Sequence, residues 1–130
     1  MWLTVCQLRL KAMRFRREQR IRRRAEYQQI YERGTRIRSR FSTVFILPND
    51  KGVTRLGIAA TRKLGGAVVR NRAKRLIREV FRRNAIAQGF DVVIIPKREL
   101  LDASLTVLEA DYRSILERRL RRDPGADSRL

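Results

Sequence analysis

Between Thr61 and Asn84 the chain carries nine Lys or Arg side chains against a single acid, Glu79. That density suits one chemistry above others, the charge-assisted hydrogen bonding of phosphate oxygens. At about 100° per residue, Val69, Ala73, Leu76, Ile77 and Val80 fall in one narrow sector, and Asn71, Lys74, Arg75, Arg78 and Arg82 fall opposite. The segment reads as a helix, roughly Ala67 to Ala87, with its back in a core and a row of cations plus one amide in front. Like-charged i,i+4 pairs on such a face repel by roughly 0.2–0.5 kcal/mol each, and a polyanion relieves that repulsion. Solvated charged faces are common, but the absence of interspersed acids and the flanking Gly65-Gly66 pair favour nucleic-acid docking. Two glycines before a helix can leave N–H groups open to a phosphate, with Lys63 beside them. They serve a tight strand-to-helix turn equally well, and no Gly-x-Gly-x-x-Gly spacing is present.

Chemistry of the bond-breaking kind has little to stand on. With no histidine, the usual proton carrier near neutral pH is missing. The 13 acids are scattered: Asp91 reads as a strand-start residue, Asp102 as a loop residue and Glu109 as a helix cap. The single cysteine, Cys6, excludes an internal disulfide and any Cys/His zinc site, and it fits a reducing cytosol. No catalytic residue and no metal ligand set is expected in the protein itself.

Three aromatic residues complete the candidates. Tyr27 and Tyr31, four apart beside an arginine-dense arm, could form a stacking platform for single-stranded RNA together with Phe45. Burial in a small core is the default for all three, and periodicity alone favours the core.

Length and charge frame these residues. At 130 residues the chain holds one modest core, and a net charge of +19 with pI near 11.7 calls for a polyanionic partner. Of the 32 basic residues 27 are Arg, the side chain that forks onto phosphates and stacks on bases. No stretch reaches the ~18 apolar residues of a membrane span, so a cytoplasmic protein without a membrane partner is expected.

The elements follow from pattern. Residues 1–13 carry little charge and weak periodicity and read as a poorly ordered extension, with Met13 an alternative start. Arginines 14, 16, 17, 20 and 22–24 form an arm expected to be mobile when free. Ala25–Arg33 reads as a short helix with Tyr27, Ile30 and Tyr31 on one face and Gly34 as its cap. Phe41–Pro48 reads as a strand and Val53–Thr61 as its hairpin partner, with Leu56, Ile58 and Ala60 facing one way and Gly57, Ala59 and Thr61 the other. Asp91–Pro96 is a continuous apolar run, hence a strand covered on both faces. A capping box, Thr106-x-x-Glu109, opens the last helix, whose buried stripe is Leu108, Tyr112, Ile115, Leu116 and Leu120. Asp123-Pro124-Gly125 should stop that helix and leave 121–130 a disordered tail. The sum is a small α+β sandwich, helices on one mixed sheet.

The run Thr61-Arg62-Lys63-Leu-Gly-Gly-Ala-Val-Val-Arg70-Asn71-Arg72-Ala-Lys74-Arg75-Leu-Ile-Arg78-Glu closely resembles the Arg-Asn-Arg signature of the bacterial ribonuclease P protein subunit. The likeness extends from about Phe15 to Leu120. It takes in the aromatic run ending at Gly34, the Arg-Leu-Gly-Ile strand, the Asp-Val-Val-Ile-Ile strand and the last helix, so that 14–120 is the RNA-binding domain. The resemblance implies a single-domain α-β-β-β-α-β-α sandwich of the ribosomal-protein-like type with a left-handed βαβ crossover. It implies a protein that assists a catalytic RNA, which cleaves precursor tRNA with Mg²⁺ held by the RNA. Carried over by motif, Arg70, Asn71, Arg72, Lys74, Arg75 and Arg78 would contact the catalytic RNA. Tyr27, Tyr31, Phe45, Thr61 and Lys63 would line a cleft for the 5′ leader of precursor tRNA. Ala59 stands where many relatives carry a hydroxyl. The rival is a structural ribosomal-type RNA-binding protein without a substrate cleft. A helix-turn-helix DNA binder would need two adjacent helices, whereas strands flank the basic helix here, so no DNA partner is expected.

Overall fold

The computed structural model describes residues 19–49, 51–84 and 89–128, with side chains as far as Arg119. The extension at 1–13 and the arm up to residue 18 lie outside the described residues. In chain order the elements are α1 (Arg24–Arg33), β1 (Thr35–Arg38), β2 (Ser42–Pro48), β3 (Arg55–Ile58), α2 (Ala67–Arg83), β4 (Phe90–Pro96), α3 (Glu99–Asp102) and α4 (Leu105–Ser128). One four-stranded sheet has the order β1-β2-β4-β3, antiparallel except for the parallel β3/β4 pair.

That order corrects the expected hairpin between β2 and β3, because β4 lies between them. The reason is burial. Val92 and Ile94 point into the main core and Val93 into a second, smaller one, each at most 4% exposed. A strand apolar on both faces takes a central position. β3 is left at the edge, with a residue from the arm on its open side: Arg20 bridges Leu56, and the Ile21 amide donates to the Leu56 carbonyl at 3.0 Å. The described end of the arm is therefore docked, held by Ile21, which is buried against Ile30 and Val93.

Alternation along β2 and β3 divides the two cores. Val44, Ile46, Leu56 and Ile58 face α2 and α4, packing with Ala73, Ile77, Val80, Phe81, Tyr112 and Ile115. Phe45, Leu47 and Ala59 face α1. Each fully buried Val, Ile or Leu contributes roughly 1.5–3 kcal/mol, so the α2/α4 layer carries most of the apolar stabilisation.

Three helix ends differ from expectation. The N-cap of α4 is Ser104, whose Oγ accepts from the Val107 amide at 3.3 Å. Thr106 and Glu109 therefore form no capping box, since the helix begins two residues earlier than that motif requires. Glu109 instead sits 3.9 Å from Arg83 and 3.8 Å from Arg113. At the other end α4 continues to Ser128, past the expected stop. Pro124 removes one i→i−4 bond, and the turns around it remain helical. α2 ends at Arg83, its Asn84 cap donating from Nδ2 to the Val80 carbonyl at 2.8 Å. β1 is an element that residue patterning did not reveal, since only Ile37 of its four residues turns inward.

Candidate RNA-docking face and aromatic cleft

α2 presents its cations as the sequence predicts, with one amendment. Ala73, Ile77, Val80 and Phe81 are buried, while Asn71, Arg72, Arg75 and Arg78 are exposed and Arg70 and Lys74 half-buried. Arg82, expected in the same uncompensated row, donates to both carboxylate oxygens of Glu79. Arg83 also approaches Glu79, at 3.8 Å. Arg70, Arg72, Lys74, Arg75 and Arg78 have no ion pair with any described residue, and the buried Nε of Arg70 has no hydrogen-bonding partner among the described residues. The net repulsion along this row is unrelieved within the described protein.

The fold adds one member that the sequence did not assign. Arg20, placed by the docked arm, joins Arg75, Arg78, Glu79 and Arg82 around an open hollow of ≈330 Å³. The signal was present in Ile21, an apolar residue in a run of arginines, which anchors this end of the arm. Ahead of α2, Gly65 has φ +149°, a conformation that side chains rarely adopt. The Gly65-Gly66 pair thus makes the tight turn, and Thr61, Arg62 and Lys63 stand exposed on it.

On the other side of the sheet the three aromatic residues meet. Tyr31 packs edge-on against Phe45 with ring centroids 5.0 Å apart, and Tyr27 lies 6.4 Å from Tyr31. Their exposures differ. Tyr27 is pinned over Gly57, its hydroxyl donating to the Ile21 carbonyl at 3.2 Å. Burial pushes that hydroxyl above its usual range, opposed by a backbone hydrogen bond from Ile58. Tyr31 is 39% exposed and so offers a ring face. Ala59 belongs to the same cluster. No described hydrogen bond or ring contact links Thr61 or Lys63 to these rings; the two residues follow Ala59 along the chain toward the α2 turn.

A buried ionic network fixes α1 over this floor. Arg55 donates from Nε and Nη2 to the two Asp91 oxygens at 2.8 and 2.7 Å, and from Nη1 to Glu26 at 2.8 Å. Asn49 donates to Asp91 at 2.6 Å, and Lys51 stands 3.7 Å from Glu26. Burial alone would push the Glu26 carboxyl up, but the Arg55 hydrogen bond and charge, helped by Lys51, hold it below the ordinary range. Both Asp91 oxygens are taken up by this network. Among the described residues no three Asp, Glu, Cys or His side chains are grouped to hold a metal, and no helix is long and apolar enough to cross a membrane.

A single α+β domain with an uncompensated cationic helix on one side and an aromatic wall on the other defines an RNA-binding protein that presents two surfaces. The family model described as Ribonuclease P matches residues 15–120. The ribonuclease P protein component of Syntrophus aciditrophicus is 43% identical over 90 residues, covering 68% of this chain and 76% of that protein. Its counterpart from Desulfovibrio desulfuricans is 40% identical over 118 residues, covering 86% and 91%. Among solved structures, the ribonuclease P protein of Thermotoga maritima superimposes with a TM-score of 0.69 at 33% identity, covering 76% of this chain and 96% of that one. The chain belongs to the ribonuclease P protein family. Members are the protein component of the ribonucleoprotein that processes tRNA 5′ ends.

Proposed function

We propose that this protein docks on the catalytic RNA through α2 and holds the 5′ leader of precursor tRNA in the cleft between α1 and the sheet. The observation that carries the first half is the unrelieved row of Arg70, Arg72, Lys74, Arg75 and Arg78 beside Asn71. Phosphates neutralise that row with release of counterions. The second half is supported by the half-exposed Tyr31–Phe45 pair, whose π-faces accept any unpaired base, with Tyr27 setting the wall and Thr61 and Lys63 at the mouth.

In this reading the protein supplies charge and position, and the RNA supplies the chemistry with its own Mg²⁺. The left-handed sense of the β3–α2–β4 crossover, kinship with a ribosomal-protein domain and action in the cytoplasm belong to the same proposal. The test is reconstitution. Rigorously RNA-free protein should cleave no precursor tRNA, and RNA recovered with the protein from cells should contain a catalytic RNA and leader-bearing tRNA precursors. Cleavage by the protein alone, or recovery of ribosomal RNA only, would overturn it.

A further inference from the structure

We infer that Arg36 and Arg38 of β1 form the far end of the aromatic cleft and grip backbone phosphates of single-stranded RNA beyond the nucleotides stacked on the rings. The inference rests on the leader reading above and extends it to residues outside the signature. β1 pairs with β2 so that Arg36 lies opposite Phe45 and Arg38 opposite Thr43. Side chains directly opposite on paired strands share a face. Ile37 turns into the main core, which by the period-two alternation of a strand sends Arg36 and Arg38 to the cleft side.

α1 covers only part of that face. Leu47, Val93 and Gly57 lie beneath it, whereas Thr43 and Ile95, paired in register, remain half-exposed. Arg38, Thr43 and Ile95 make a row across the strands, and Ala59, whose amide donates to the Ile94 carbonyl, continues it. With neighbouring strands about 4.8 Å apart, the row spans roughly 14 Å. At one end are Ala59 and the turn bearing Thr61 and Lys63; at the other are the two arginines. Both are exposed, and neither side chain bonds to any described residue. Their Cα atoms are about 6.8 Å apart along the strand, so each can take its own phosphate. Charge on an edge strand also prevents edge-to-edge pairing, but that role is indifferent to sign.

The experiment uses the holoenzyme reconstituted with its catalytic RNA, and precursor tRNAs whose leaders are lengthened one nucleotide at a time. With Arg36→Ala/Arg38→Ala, affinity should match wild type for the shortest leaders and stop rising earlier as they lengthen. The log–log salt slope for long leaders should fall by about 0.7 per arginine removed. Arg36→Lys/Arg38→Lys should restore most of the slope, and Arg36→Glu/Arg38→Glu, which keeps the edge charged, should weaken long-leader binding further. Melting of the free variants controls for folding. An unchanged length dependence and slope in both the Ala and Glu variants would overturn the inference. If Phe45→Ala still weakens precursor binding in that case, only the β1 extension falls; if Phe45→Ala has no effect either, the leader reading falls with it.

Discussion

The ring of Tyr27 occupies the space that a side chain on Gly57 would need: a Cβ there would stand 2.8 Å from the ring and its hydroxyl. Helix α1 can approach the sheet this closely because β3 has a bare backbone at that point. Gly57→Ala should therefore destabilise the protein by about 1–3 kcal/mol through overpacking. In a Tyr27→Ala background the same substitution should cost little. Urea unfolding of the four proteins of this cycle checks the coupling, and equal costs in both backgrounds would refute it.

Arg55→Met should cost about 3–5 kcal/mol, because it leaves the Asp91 carboxylate buried without its cation. Asn49 would remain as a neutral donor to Asp91. Denaturant unfolding measures the loss. A cost near that of an exposed substitution would show that water reaches Asp91.

Acid should loosen α1. Glu26 has a folded-state pKa depressed below its ordinary 4.5, so its contribution is present in full above the unfolded value and is lost as pH falls through the folded one. Thermal stability should decline on acidification below about pH 4, and Glu26→Gln should lower stability at neutral pH while flattening part of that decline. A decline of the same depth in the variant would assign it to other carboxylates.

Arg72→Ala, Arg75→Ala and Arg78→Ala should each weaken assembly with the catalytic RNA and reduce its salt slope by about one unit. Arg82→Ala should do less, because its partner in the free protein is Glu79. Titrations at several salt concentrations decide, and an unchanged slope in the first three would mean that the face is merely solvated.

Tyr31→Ala and Phe45→Ala should each cost roughly 1–3 kcal/mol in precursor affinity and leave mature tRNA, which has no leader, nearly unaffected. Tyr31, being exposed, should do so without a matching loss of fold stability, whereas Tyr27→Ala should lose both. Binding of the two RNAs to the holoenzyme, paired with melting of the free protein, separates these outcomes. Equal weakening of both RNAs would return the rings to the core.

What could be read from the sequence was whatever is written within one element. The α2 stripe, the doubly buried β4, the alternation of Leu56, Ile58 and Ala60, and the Gly34 end of α1 all follow from local period or punctuation. The family signature placed the cationic residues. Relationships between elements were not legible. β1 hides because two of its four residues are arginines, and the supposed β2–β3 hairpin fails because a strand more than thirty residues later separates the two. Arg55 and Asp91 each look unremarkable alone, and only their parallel register brings them together. Arg82 sits on the predicted face, yet its charge is cancelled by the one acid in the helix.

The central position of β4 also sets an order of assembly. β1 and β2 can pair as soon as they leave the ribosome, but β3 has no strand partner in the described sheet until Phe90–Pro96 has been made. Until then β3 lacks the strand that ties it into the sheet beside β2, and such non-local pairing is slow to form. β4 acts as a keystone, the late piece that holds the cationic face and the aromatic face at a fixed separation across one sheet.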